Sequence, residues 1–213
     1  MKIDFVSDVS CPWCAIGLNA LEQALARVAP EITAQLHFQP FELNPKMGAE
    51  GQEIVEHLSQ KYGIDAQQIA GNTEAIRQRG ASVGFTFGIG KRSRIYNTFN
   101  AHRLLHWSGL QGAAAQRSLK HALLKAYFTD GQNPSDHAVL LAAAGAAGLD
   151  VEAARQVLDS IGFAAEVRQA EAFYQQQGIH SVPAVIINDR HLISGGQPAE
   201  VFEQALRQIA AGA

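Results

Sequence analysis

Cysteine is scarce in this chain, two residues in 213, and both fall within one short stretch near the N-terminus. A scaffold stapled by several disulfides is therefore excluded, and a chain of this length that is 47% hydrophobic can bury a core without one. No uninterrupted apolar run reaches membrane-spanning length, which argues against a transmembrane helix. An excess of positive charge is also missing. The net charge of -3 offers no basic field to nucleic acid or to an anionic membrane. The local cluster "KRSR" (Lys91, Arg92, Arg94) is read as a solvated loop, because one short cluster makes too few phosphate contacts. The opening "MKIDFVSD" lacks the apolar core and small-residue cleavage site of a secretory leader and reads as a strand. A cytoplasmic location is expected, where structural disulfides are rare and a C-x-x-C is more often catalytic or metal-binding.

What is present is a β-α-β start. Ile3 to Val6 forms a short strand, and Cys11, Cys14, Leu18, Leu21, Leu25 and Val28 then recur at steps of three and four, one face of a helix. "AQLHFQPFELNP" alternates into a second strand before its "NP" turn. From about 47 to 178 the pattern is helical, with segments such as "AQQIAGNTEAIRQRGASVG", "NTFNAHRLLHW" and "AAAQRSLKHALLKAYF". Ser135 and Gly178 read as helix start and stop signals. Strands return in "PAVIIND" and "RHLIS", and a last helix follows "GGQP". A helical block of this length inside a β/α framework reads as an insertion, giving a split domain (1–46 and 179–213) around an inserted helical domain (47–178).

The stretch "SDVSCPWCAIG" carries the chemistry. With Cys11 at the N-cap, Pro12 suits the first helical position and Cys14 falls at the third. Cap and third position face each other, so the two sulfurs can approach bonding distance. Unpaired amides and the macrodipole at the helix tip favour a thiolate on Cys11, expected to be partly exposed, while Cys14 sits a turn inward on the apolar stripe. One sulfur is built to attack and the other to resolve. A zinc site using His102 and His106 of "HRLLH" is the competing reading. It is disfavoured because the pairs lie in different blocks with the wrong spacing. Two thiols merely filling a helix head is the plainest alternative. Pro183 in "GIHSVPAVIIN" opens a strand, one of the few strand positions that tolerate proline.

Taken together, "CPWC", "GIHSVPAVIIN" and "ISGGQPAEVFEQAL" resemble the DsbA/FrnE branch of the thioredoxin superfamily. "PFELNP", "YNTFNAHRLLHW" and "LLKAYFTDGQNPSDHAVLL" are similar to FrnE-like members in particular. The resemblance implies an α/β thioredoxin-like fold with a large all-helical insertion. It implies Cys11 as nucleophile, Cys14 as resolving thiol, and a cis Val182–Pro183 bond. Ser181, Val182 and Pro183 would then bind substrate through strand-like hydrogen bonds. Asp4 resembles the buried acid that assists proton transfer to the second cysteine, although its spacing to Cys11 is one residue longer than usual. A strand aspartate capping the next turn is the plainer reading. Trp13 serves as a substrate contact or as a shelter for the pair. Asn97 and His102 are cleft residues or part of a helix packed through Tyr96, Phe99, Leu104 and Leu105.

The function expected is thiol:disulfide oxidoreduction with protein or small-molecule thiols and disulfides as partners. It requires no metal, flavin or nicotinamide, and glutathione is a possible thiol co-substrate. Nucleic acid and membrane are not expected partners. The alternative is a glutathione-dependent kappa-class transferase or 2-hydroxychromene-2-carboxylate isomerase-like enzyme, which shares the implied fold. Such relatives usually carry serine at the position of Cys11, after a pattern similar to Asp8-Val9-Ser10, and tend to have an acidic-basic pair where this chain has Gln197-Pro198. A redox-sensing or binding protein without catalysis would use the same reversible pair.

Overall fold

A computed structural model describes residues 1–212. The chain runs β1 (Lys2–Ser7), α1 (Pro12–Val28), β2 (Gln35–Pro40), β3 (Gln52–Glu53), α2 (Ile54–Tyr62), α3 (Ala66–Ser82), β4 (Arg94–Ile95) and α4 (Phe99–Gly109). It continues through α5 (Ala113–Leu124), a π-helical turn at Lys125–Thr129, α6 (His137–Ala146), α7 (Val151–Asp159), α8 (Ala164–Gln176), β5 (Ala184–Ile187), β6 (His191–Ser194) and α9 (Ala199–Ala210). The main sheet has the order β2-β1-β5-β6. β1 and β2 pair in parallel, as the βαβ crossover through α1 requires, and β5 runs antiparallel to both β1 and β6. The "ND" turn between β5 and β6 places Asn188 and Asp189 at φ 53° and 57°, a region these two residue types tolerate.

Alternation along β1 divides the core. Ile3 and Phe5 point to the layer that holds α1 and α9, and Val6 points to the other, where Tyr174 of α8 packs with Phe41 and Ile179. The stripe read from the sequence of α1 is buried at Cys14, Leu18, Leu21 and Val28. The larger core continues without a break into Leu104 of α4 and Leu119, Leu123 and Leu124 of α5, so the helical block and the sheet share one interior. Among the described residues no helix is long and apolar enough to cross a membrane.

Several local expectations are corrected. The helical block also carries a two-stranded ribbon, β3 with β4. Helix α2, absent from the sequence reading, starts at Glu53, whose side chain accepts from the Glu56 amide. Helix α6 is capped by Asp136 rather than Ser135: the Asp136 carboxylate accepts from Ala138 N at 2.7 Å, while Ser135 Oγ donates to the Asn97 carbonyl at 2.6 Å. Nor is "KRSR" simply a solvated loop. Arg92 stacks 4.9 Å from the Phe128 ring centroid and Arg94 donates to the carbonyls of Glu50 and Gly51, so both arginines are structural.

Candidate active site

The two cysteines sit where β1 hands over to α1. Cys11 is the N-cap of α1, Pro12 opens the helix, and Cys14 N donates to Cys11 O at 3.1 Å. Both thiols are free. Cys11 Sγ donates to the Val182 carbonyl at 3.6 Å, which brings the residue before Pro183 against the thiol. The Val182–Pro183 bond is cis. The close approach continues below. A β-carbon on Gly17 would lie 3.2 Å from both Pro183 Cγ and Gly196 Cα, so glycine lets α1 settle onto this loop.

Cys14 is fully buried, as expected, but Cys11 is only 4% exposed rather than open at the helix tip. Val182, just ahead of β5, approaches the sulfur, and Leu43 N donates to Asp8 Oδ2 at 2.7 Å, fastening the segment after β2 beside the 8–10 loop. Burial pushes the Cys14 thiol well above its ordinary value, the neighbouring Cys11 sulfur adds to the rise, and Lys120 acts in the opposite direction. Trp13 is 40% exposed beside the pair. Ser181 is exposed, Val182 half-buried and Pro183 buried.

Asp8, read from the sequence only as part of a pattern, anchors this corner. Its carboxylate accepts from Ser10 N at 3.1 Å, Ser10 Oγ at 2.9 Å and the Leu43 amide. His102 Nε2 stands 3.5 Å from Asp8 Oδ1, an ion-pair separation too long for a strong hydrogen bond. Burial opposes ionisation of Asp8, but His102 and the amides of Leu43 and Ser10 outweigh it and hold the carboxyl at about 2. His102 is thus brought to the site as a buried neighbour of Asp8, on a helix whose Leu104 and Leu105 are also buried. His106 does not join it at the cysteines. Its ring lies 5.4 Å from that of Phe163, and among the described residues no group of three or more His, Cys, Asp or Glu side chains is placed to hold a metal ion.

Asn97 takes a different place. Its Oδ1 accepts from Phe99 N at 2.9 Å at the start of α4, and its Nδ2 donates to Glu42 at 3.4 Å. Buried Glu42 is held by Arg168 of α8, whose guanidinium lies 3.8 Å from the Phe99 ring centroid. This network joins the "PFELNP" segment to α4 and α8.

Asp4 is not at the cysteines. It shares the Val6 side of β1, opposite α1, because strand side chains alternate. There it accepts from Gln39 Nε2 at 2.7 Å and pairs with Lys2 Nζ at 2.9 Å. The proton-transfer role that the resemblance implied for Asp4 is therefore withdrawn. The sequence reading also passed over Lys120 of α5, which is fully buried. The available signal was a lysine set four residues after Gln116 and four before Leu124, inside a buried helical stripe. At the end of α2, Tyr62 remains 57% exposed; burial and the charge of Cys11 both raise its phenol.

Comparison with known proteins places this arrangement. Residues 2–207 match the DSBA-like thioredoxin domain. The chain is similar to a probable DsbA oxidoreductase from Streptomyces coelicolor, with 31% identity, a TM-score of 0.92, and coverage of 100% of this chain and 91% of that one. Two further solved structures share the fold at lower identity. One is the cytosolic disulfide reductase DsbM from Pseudomonas aeruginosa, solved with GSH, at 13% identity and TM-score 0.69 over 99% of this chain and 100% of that one. The other is a 2-hydroxychromene-2-carboxylate isomerase, at 15% identity and TM-score 0.69 over 99% of this chain and 96% of that one. With the match running through both cysteines and nearly the whole length, the chain belongs to the DsbA-like thioredoxin family of disulfide oxidoreductases.

Proposed function

We propose that the protein exchanges disulfides through Cys11 and Cys14. The observation that carries this reading is a free thiol at the helix N-cap with a second, more deeply buried thiol one turn behind it. Cys11 thiolate attacks a substrate disulfide, forming one S–S bond and breaking another, and the departing thiolate takes up a proton. Cys14 then loses its proton, bonds to Cys11 and expels the second substrate thiol, so the protein is oxidised by two electrons and the substrate reduced. Run backwards, the sequence oxidises a dithiol. Trp13, Ser181, Val182 and Pro183 form the proposed substrate edge, where a peptide can add hydrogen bonds beside the pair. Residues 1–46 and 179–213 act as the thioredoxin-like unit and 47–178 as its inserted cover. A cytoplasmic setting, with net reduction or isomerisation, suits a pair without structural disulfides elsewhere. Thiols and disulfides of proteins or small molecules are the partners, and the GSH of the reductase neighbour supports glutathione as a co-substrate. No resident cofactor enters the scheme.

The isomerase neighbour keeps one rival in view, a glutathione-activating enzyme. The resolving thiol Cys14 favours exchange, because glutathione activation has no step for it. Assay of the wild-type protein against a dithiol–disulfide couple, and separately against glutathione with a generic electrophile, distinguishes the two. Turnover in the first and background rates in the second are expected; the opposite pattern would assign the rival activity.

A further inference from the structure

Resolution by Cys14 poses a physical problem that rests on the exchange reading above. Once Cys11 is tied up in a mixed disulfide, Cys14 must lose its proton in a fully buried place where an unscreened thiolate is costly. The residue that would ordinarily be sought, an acid on β1, faces the other side of the sheet. The interior instead holds a lysine. Lys120 is 0% exposed, and its Nζ has no hydrogen-bond partner among the described residues. An unpartnered buried lysine amine is unusual enough to ask what it serves.

The surroundings of Lys120 narrow the answer. Its Nζ lies 5.9 Å from the Phe38 ring centroid. The groups whose negative charge bears on it are Cys14, Asp8 and Cys11. The other titratable groups of the elements packed on α5 have neighbours of their own. His102 of α4 faces Asp8, Tyr127 of the π turn donates to the Arg94 carbonyl at 3.0 Å, and His137 of α6 neighbours Asn100. His37 of β2 lines a small cavity against α4. Asp8 accepts from Ser10 and Leu43 and its carboxyl is held at about 2, so its charge is constant and the charge that comes and goes near Lys120 is that of the sulfurs.

We propose that Lys120, contributed by the helical block, is the buried counter-charge that stabilises the Cys14 thiolate during resolution. It acts through Cys14 and is a positioning residue. The ammonium keeps its proton throughout; the proton lost by Cys14 passes by way of solvent to the thiolate released from Cys11. Burial lowers the Lys120 ammonium and the adjacent negative charges oppose that fall, so the cation and the sulfur support each other. The helical insertion thereby contributes to the electronics of the pair as well as covering it.

Ellman's reagent separates the steps on the full chain. The reduced protein releases one thionitrobenzoate when Cys11 attacks and a second when Cys14 resolves. The pH dependence of both phases should be followed by stopped flow for wild type, Lys120→Met, Lys120→Gln and Lys120→Arg. In the Met and Gln variants the second phase should slow about tenfold or more at neutral pH, with its midpoint raised by about one unit or more. The first phase should change much less, and Arg should restore the midpoint toward wild type. An unchanged midpoint in the folded Met or Gln variant overturns the proposal, as does a lowered melting temperature with no pH shift. If wild type itself shows the first release without the second, Cys14 does not resolve, and both the exchange reading and the role of Lys120 fall.

Discussion

Replacing Cys14 by serine is expected to convert a turnover enzyme into a trap. Cys11 retains its place at the N-cap and its approach to the Val182 carbonyl, so attack on a disulfide continues. The product is a mixed disulfide that no internal thiol can release, since the chain has no third cysteine. Turnover of a dithiol–disulfide substrate should fall to background while a covalent adduct on Cys11 accumulates, seen by mass spectrometry of the intact protein and its peptides. Cys11→Ser should lose turnover and adduct alike, because Cys14 is sealed behind it. Equal trapping by both variants would mean that either sulfur reaches substrate, contrary to the roles assigned.

The second large effect concerns Asp8. Its carboxyl is held at about 2 against an ordinary 3.8, so the folded state gives up this proton more readily than the unfolded one. A depressed carboxyl contributes stability that is present above the unfolded value and lost as pH falls through the folded one. The window here lies between roughly pH 5 and pH 2, and the contribution amounts to about 2 kcal/mol. Asp8→Asn removes it and also places an amide donor where Leu43 and Ser10 require an acceptor. Urea unfolding should show the variant less stable near neutrality by about 2–3 kcal/mol, with the gap closing toward pH 2. A gap that stays constant with pH would show that the Asp8 charge is not what holds this corner.

The parts of this molecule legible in its sequence were those governed by short-range rules. The stripe through Cys14, Leu18, Leu21 and Val28 follows from helical periodicity, and Pro12 announces the helix start at Cys11. The contact of Cys11 with Val182 spans most of the chain and was reached through resemblance, because no local pattern encodes it. Apart from helix α2 and the cap of α6, the assignments that failed were those set by tertiary placement. Asp4 and Val6 share a strand face, but which layer that face meets depends on how α8 crosses the sheet. Cys11 is more buried than a helix tip suggests, and the contact on its sulfur comes from Val182, 171 residues away. The roles of Asp8 and Lys120 were not legible for one reason: a buried polar group is recognised by what surrounds it, and their surroundings come from distant parts of the chain.

The central claim, that Cys11 and Cys14 form a reversible redox couple, is tested most directly by equilibrating the protein in glutathione buffers of graded reduced-to-oxidised ratio. Acid quenching, alkylation of free thiols and mass spectrometry then give the fraction of each species. The account predicts one reversible transition in which both thiols are lost together, as an internal Cys11–Cys14 disulfide forms, with a glutathione adduct on Cys11 only as a minor species. A chain that keeps Cys14 reduced at every ratio, or that stops at the glutathione adduct, would contradict it.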